Sequence, residues 1–186
     1  MTILPMYPTS INEKYMELVI NTLRDGGIII YPTDSLYAIG CNALNNQAIE
    51  RICRIKGINP AKTNLSIICH DISQSAEYAR IDNRAFRIMK DNLPGPFTFL
   101  LPASTTLPKV FKGRKTVGVR IPDNAIAREI AMRMDSPLLT TSIQWDTEDE
   151  AINPESIAMR YSDTVDIVID GGEGGTEPST VIDITD

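Results

Sequence analysis

The chain is poor in the residues on which most catalytic and metal-ligating motifs are built: one histidine, three cysteines and only 6% aromatic side chains. A lone histidine makes a Ser/His/Asp or Cys/His mechanism hard to assemble. It also leaves a zinc site short of ligands, because His70 adjoins Cys69 while Cys41 and Cys53 lie far away in sequence. A structural role for His70 is the simpler reading. An odd number of cysteines without short paired spacing argues against a disulfide framework and for reduced thiols in a cytoplasm. So few aromatics give little material for stacking bases, so any RNA recognition would have to work through backbone and shape. No apolar run approaches the roughly 18 to 20 residues that span a bilayer. Met1 to Tyr15 shows no basic stretch followed by an apolar block, and membrane insertion and secretion are disfavoured. The Gly-x-x-x-x-Gly-Lys-Ser/Thr phosphate loop and the Gly-x-Ser-x-Gly elbow are both missing. The cluster Gly171-Gly172-Glu173-Gly174-Gly175 lies near the C-terminus instead of between an early strand and helix.

What is present is ordinary in amount and uneven in placement. Hydrophobic residues at 42% and charged residues at 23% suit a globular core, and the 186 residues are the size of one domain. The net charge of -6 hides a basic island. Between Arg51 and Arg120 stand thirteen Lys or Arg and four Asp or Glu, whereas the flanks hold five basic and twenty acidic residues. Such a block can gather phosphates, with ATP and an RNA backbone as suitable guests. Pairing of basic and acidic segments on the folded surface is the alternative.

Periodicity predicts alternating helices and strands. Ile11 to Arg24 reads as a helix stopped by Gly26-Gly27. Ile28 to Tyr31 reads as a buried strand that ends at Pro32 and delivers Thr33-Asp34-Ser35 to a loop at its carboxyl end, where α/β sheets bind ligands. Helices are predicted over Asn46 to Ile55, Asn83 to Asn92, Ala125 to Met134 and Pro154 to Tyr161. Strands are predicted over Leu65 to Cys69, Phe97 to Leu101, Thr116 to Ile121, Leu138 to Ser142, Val165 to Ile169 and Thr180 to Ile184. Trp145 to Glu150 reads as a polar, acidic loop. Several strand pairs lack the helix that a parallel crossover requires, so the expected fold is one α/β domain with a mixed sheet.

Five separated segments then fall into a known order: Tyr31-Pro32-Thr33-Asp34-Ser35-Leu36-Tyr37-Ala38-Ile39-Gly40, Pro94-Gly95-Pro96-Phe97-Thr98, Val117-Gly118-Val119-Arg120-Ile121-Pro122, Thr141-Ser142, and Pro178-Ser179-Thr180-Val181-Ile182-Asp183. Together they resemble the YrdC family over nearly the whole chain. The resemblance implies a single YrdC-like domain over residues 1–186, with an open, twisted, mixed sheet, a concave ligand-binding face and no additional C-terminal domain. It also implies the activity of the family's threonylcarbamoyl-AMP synthases. These nucleotidyltransferases join L-threonine, bicarbonate and ATP into threonylcarbamoyl-AMP and pyrophosphate, for modification of adenosine 37 of tRNA. Some members bind double-stranded RNA. On this resemblance Lys56 and Arg120 would be catalytic; Thr33, Tyr37, Arg120, Thr140 and Ser179 would bind substrate; Lys56, Lys62 and Ser142 would bind nucleotide. Mg2+ would accompany the ATP without a dedicated set of metal-ligating residues. Arg120 suits a two-pronged grip on the threonine carboxylate, and Lys56 and Lys62 suit the triphosphate.

Two departures stand out. The family's synthases usually carry Lys-x-Arg followed by Pro, and later Ser-x-Asn, whereas this chain has Lys56-Gly57-Ile58 and Ser142-Ile143-Gln144. Lys62 is placed to replace part of the lost charge. Arg51-Ile52-Cys53-Arg54-Ile55 and Asp34-Ser35-Leu36-Tyr37-Ala38 look more like the YciO branch, and the acidic Asp146 to Glu150 segment falls near the expected nucleotide site. Three functions follow as expectations: a synthase or divergent paralogue with weakened turnover; a double-stranded RNA-binding or ribosome-associated translation factor without catalysis; and a nucleotide-binding regulatory paralogue.

Overall fold

Side-chain caps define most helix starts before packing is considered. Asn12 accepts a hydrogen bond from the Tyr15 amide at 3.1 Å, Asn45 from Ala48 at 3.0 Å, Asp82 from Ala85 at 2.8 Å and Asn124 from Ile126 at 2.9 Å. Each satisfies an amide that a first helical turn leaves without a partner. The structure is a computed structural model that describes residues 1–60, 62–63, 65–107 and 114–185. In chain order its elements are β1 (Thr2–Pro5), α1 (Glu13–Arg24), β2 (Ile29–Tyr31), β3 (Ala38–Asn42), α2 (Asn46–Lys56), β4 (Ser66–Ile68), α3 (Ile72–Ser75), α4 (Asn83–Asn92), β5 (Phe97–Pro102), β6 (Thr116–Arg120), α5 (Ala125–Met134), β7 (Leu138–Ser142), α6 (Glu148–Ile152), α7 (Pro154–Arg160), β8 (Ile167–Asp170) and β9 (Thr180–Asp183).

The strands form one open, mixed sheet in the order β1-β8-β2-β3-β7-β4-β6-β5-β9 among the described residues. Four pairs are parallel (β1 with β8, β2 with β8, β4 with β6, β5 with β9) and four antiparallel (β2 with β3, β3 with β7, β4 with β7, β5 with β6), the central three all antiparallel. Because side chains alternate along a strand, each strand serves two faces. Ile39, Ile67, Phe99, Val119 and Leu139 belong to one core cluster, which also holds apolar residues of α2, α4 and α7. Ile29, Tyr31, Ala38, Ile68 and Leu138 point the other way, into a second cluster closed by α1 and α5. The three cysteines are buried and form no disulfide. Among the described residues no helix is long and apolar enough to cross a membrane.

Four elements depart from the sequence reading. The expected acidic loop is in part the helix α6. Thr147 caps it by accepting from the Glu150 amide, and the acids Glu148, Asp149 and Glu150 occupy its first turn, where the helix dipole favours negative charge. The strand β3 has the sequence Ala-Ile-Gly-Cys-Asn, with little β propensity. It is a strand because β2 and β7 pair with it on both sides. The short β1 owes its state to pairing with β8, and α3 is a single capped turn.

Candidate active site

On the second face, α1 and α5 cover only part of the sheet. The uncovered part is a cleft of about 230 Å³, smaller than most drug-sized ligand sites, lined by seven hydroxyl side chains, by the apolar Leu36, Ala38, Pro178 and Val181, and by Arg120, the only charged lining residue among those described. Strand alternation explains this lining. Gly118 and Arg120 of β6, Ser66 of β4, Thr98 of β5 and Thr140 of β7 share the face, whereas their neighbours Val117, Val119, Ile67, Phe99 and Leu139 fill the first core. Gly118 keeps the floor low, since a Cβ there would run into Ser66 Oγ and press on Thr98.

Arg120 is nearly enclosed, with 9% of its side chain exposed. Its Nη2 donates to Ser35 Oγ at 2.9 Å and to Asp34 Oδ1 at 3.2 Å. Its Nε is buried and has no partner within the protein. Burial holds the guanidinium below its usual pKa, with Asp34 and then Tyr31 acting in the opposite direction. Holding a cation this far from water is costly, and an anion in the cleft would offset part of that cost. Around it the hydroxyls are organised in pairs. Tyr31 donates to Thr140 Oγ1 at 2.7 Å from the buried side, which leaves the Thr140 hydrogen free to point elsewhere. Thr98 and Ser179 share a hydrogen bond of 2.7 Å.

Thr33 and Tyr37 stand one step behind the cleft and are not among its lining residues. The Thr33 hydroxyl donates to the Leu36 carbonyl at 2.6 Å and accepts from the Ser35 amide at 3.0 Å, closing the turn that aims Ser35 at Arg120. Tyr37 is buried in the first core. Its hydroxyl donates to the Gly172 carbonyl at 2.7 Å and accepts from the Gly171 amide at 3.1 Å. Burial pushes this phenol up to about 12, so it acts as a strut. The glycine cluster is thereby explained: a Cβ at Gly174 would strike the Tyr37 ring and one at Gly175 the Ser35 carbonyl. Close backbone approach is its task, and it carries the chain to Pro178 and Ser179 at the cleft wall.

The predicted nucleotide end is assembled less firmly. Lys56, the last residue of α2, donates through Nζ to the Ser142 carbonyl at the end of β7, so two expected nucleotide residues do meet. Burial lowers the pKa of this half-buried lysine. Gly57 then ends the helix in the left-handed region at φ 66°, with Gly57 N–H donating to Arg54 and Ile58 N–H to Cys53 at 2.9 Å. This is a Schellman cap, which favours an apolar residue where Ile58 stands, and Ile58 packs against the core cluster that contains Cys53. The residue that replaces an arginine therefore has a structural job. Lys62 is exposed on the following turn and does not line the cleft. Gln144 is exposed, and its backbone N–H donates to the Tyr161 hydroxyl at 2.8 Å. Beyond it, Arg160 bridges Asp146 at 3.2 Å and Glu150 at 2.9 Å, taking up part of the acidic charge.

The residues of the basic island take up different surroundings. Arg120 is inside the cleft, Arg51 pairs with Asp166 at 3.1 Å, and Arg84, Arg87 and Lys90 lie on α4 beside the opposite core. Lys109 and Lys112 fall outside the described residues. Sequence reasoning missed Ser66 and gave no role to Asp34 or Ser35. For the latter two the signal was present in the Thr33-Asp34-Ser35 turn, whereas Ser66 needed the register that sets it opposite Gly118 and Thr140.

The family model Sua5/yciO/yrdC, described as telomere recombination, matches residues 21–186. The uncharacterized protein YciO of Escherichia coli (strain K12) is 39% identical over 184 residues, covering 97% of this chain and 89% of that protein. The crystal structure of E. coli YciO matches with a TM-score of 0.91 at 37% identity, covering 100% of this chain and 92% of that one. A threonylcarbamoyl-AMP synthase of Pyrococcus abyssi (strain GE5 / Orsay) is 32% identical over 190 residues, covering 100% of this chain and 55% of that protein. The crystal structure of P. abyssi Sua5 complexed with L-threonine matches with a TM-score of 0.89 at 30% identity, covering 100% of this chain and 55% of that one. With its cleft, its buried arginine and these relatives in view, the chain belongs to the Sua5/YciO/YrdC family.

Proposed function

We propose that the cleft binds L-threonine against Arg120 and ATP toward Lys56, and joins them with bicarbonate into threonylcarbamoyl-AMP and pyrophosphate. The product would serve the modification of tRNA adenosine 37. The observation that carries this reading is Arg120: a nearly enclosed cation, the one charged group among the described residues that line a cleft of hydroxyl and small apolar side chains. Such a site suits a small ligand with one carboxylate and several hydrogen-bonding groups. The relatives named as threonylcarbamoyl-AMP synthase and the Sua5 complex with L-threonine support the same ligand.

In this reaction bicarbonate and the threonine amine condense with loss of water to give N-carboxythreonine. An oxygen of the new carboxylate attacks the α-phosphorus of ATP. The bond from that phosphorus to the bridging oxygen breaks, and pyrophosphate leaves with the electron pair. Two anions must be held together, so the work of the protein is positioning and charge compensation. Arg120 would fix the α-carboxylate, the Thr98 and Ser179 hydroxyls would take its remaining lone pairs, and Lys56 would offset phosphate charge beside Ser142. Among the described residues no three His, Cys, Asp or Glu side chains gather as metal ligands. Mg2+ would enter with the triphosphate, held by its oxygens, and would offset phosphate charge.

The test is pyrophosphate release from ATP, measured with and without threonine and with and without bicarbonate. Release that needs both supports the reading. Release that needs neither, together with no threonine binding by calorimetry, overturns it. The core-packed Ile58 and the acidic α6 favour a second reading, a nucleotide-binding regulatory paralogue, which the same experiment would reveal as ligand binding without turnover.

A further inference from the structure

Asp34 lies outside the lining of the cleft, yet both of its carboxylate oxygens are spent on what frames it. Oδ1 is 3.2 Å from Arg120 Nη2, and Oδ2 accepts from the Asp123 amide at 2.7 Å. Asp123 follows the Ile121-Pro122 exit from β6 and precedes Asn124, the cap of α5. One side chain thus ties the strand that carries Arg120, and the start of a packed helix, to the Thr33-Ser35 turn. That turn is itself rigid, because the Thr33 hydroxyl bonds at 2.6 Å and 3.0 Å to Leu36 and Ser35. Ser35 Oγ takes the second contact to Nη2. The guanidinium is therefore held at one nitrogen by two acceptors, while Nε finds none.

The charge on Asp34 opposes an incoming carboxylate, so its presence 3.2 Å from the cation needs another reason. A long side chain with several torsions gains most as an anion receptor when its planar fork is already oriented. We propose that Asp34 is a positioning residue that fixes the Arg120 guanidinium through Nη2 and so keeps the rest of the fork ready for the ligand carboxylate. This deepens the proposed function and rests on its assignment of a carboxylate ligand to Arg120.

Two views of Asp34 make opposite predictions. If it acts only as a charge, its removal tightens binding of an anion. If it positions Arg120, its removal weakens binding in spite of the better electrostatics. Threonine KM and kcat in the pyrophosphate assay, with ATP affinity by calorimetry, would be compared for wild type, Asp34→Ala and Asp34→Asn. Asp34→Ala should raise the threonine KM by at least about tenfold with ATP affinity within about twofold of wild type. Asp34→Asn retains one acceptor and should fall between the two. A second readout needs neither turnover nor threonine: the Arg120 Nε–H signal in nitrogen-15 NMR, identified by its loss in Arg120→Lys. It should be sharp and slow to exchange in wild type, weaker in Asp34→Asn and broadened in Asp34→Ala. An unchanged or lower threonine KM in Asp34→Ala, or an unchanged Nε–H signal in both variants, overturns the proposal. If wild type neither binds nor uses threonine while the NMR series behaves as stated, it is the threonine reading that fails and the positioning role that stands. Should Asp34→Ala not fold, Asp34→Asn alone decides: a signal and a threonine KM equal to wild type count against positioning.

Discussion

At one end of the cleft Arg120 is enclosed, bonded to Asp34 and Ser35, and fixed by a turn whose own polar groups are satisfied. At the other end Lys56 meets a backbone carbonyl, Ile58 is committed to capping α2 and to the core, and Gln144 stands exposed before a run of acids. The contrast separates recognition from activation. A receptor for one carboxylate needs a single oriented cation, and the first end has it. Holding a triphosphate beside a second anion needs several cations at fixed places; among the described residues the second end has the half-buried Lys56, with Lys62 exposed outside the cleft and Arg114 bonded to the Thr63 carbonyl of the loop that follows. On the proposed function, the end assigned to threonine is built more completely than the end assigned to ATP.

The largest effect should come from breaking the stronger end. Arg120→Ala removes the carboxylate grip and leaves Asp34, only 11% exposed, without its cation. Breaking a buried pair in this way costs about 3 to 5 kcal/mol. Because both groups keep some solvent contact, the lower figure applies, and about 3 kcal/mol corresponds to a fall in Tm of roughly 6 to 12 °C for a chain of this size. Threonine dependence of pyrophosphate release should vanish as well. A Tm within about 2 °C of wild type, read by thermal denaturation, would show that the pair is not the fixed feature described.

Lys56→Ala tests the weaker end. Loss of one charge-assisted contact should weaken ATP by roughly 10-fold to 150-fold, equivalent to about 1.5 to 3 kcal/mol. Equal ATP binding by calorimetry in the two proteins would remove Lys56 from the site and leave Lys62 as the remaining candidate of the sequence reading.

A gain of function sharpens the contrast further. Ile58→Arg with Gln144→Asn should raise threonine-dependent pyrophosphate release by about tenfold, or roughly 1.4 kcal/mol of transition-state stabilisation. Because Ile58 packs against the core, the arginine should also lower Tm slightly. A double variant no faster than its parent would mean that the missing arginine and asparagine are not what limits the nucleotide end.

How much of the fold and the site is legible in the sequence depends on the range of the physics involved. Helices with a side-chain cap and an apolar stripe, such as Asn83–Asn92 and Ala125–Met134, were predicted to the residue, because both signals are local. The strand Ala38–Asn42 was not, since only its two neighbours make it a strand. The same division runs through the site. Arg120 and Ser179 were nameable because they sit in recognisable segments, and both line the cleft. Tyr37 sits in such a segment too, but which way a strand-end side chain points is decided by pleat and register, which here turn it to the glycine cluster. Ile58 looked like a plain loss of charge. Its second role became visible only when Gly57 proved to be the left-handed residue of a helix cap.

The smallest effect, and the most specific to the weaker end, is one of pH. Burial disfavours the charged form of Lys56 and lowers its pKa, so in the free protein it gives up its proton before an exposed lysine would. ATP binding through Lys56 needs the ammonium form. As pH rises from about 8, above the last phosphate titration, toward 10, wild-type affinity for ATP should decline while the other lysines are still charged. Bound phosphate stabilises the ammonium and raises its pKa again, so the decline is smaller than the loss caused by Lys56→Ala and is accompanied by proton uptake on binding. Lys56→Arg carries a guanidinium that stays protonated throughout this range, and its affinity should stay level. Calorimetry without threonine avoids the titration of the substrate amine. Superimposable curves for wild type and Lys56→Arg would mean that the ammonium of Lys56 is not what the triphosphate meets, and the two ends of the cleft would then differ in occupant as well as in construction.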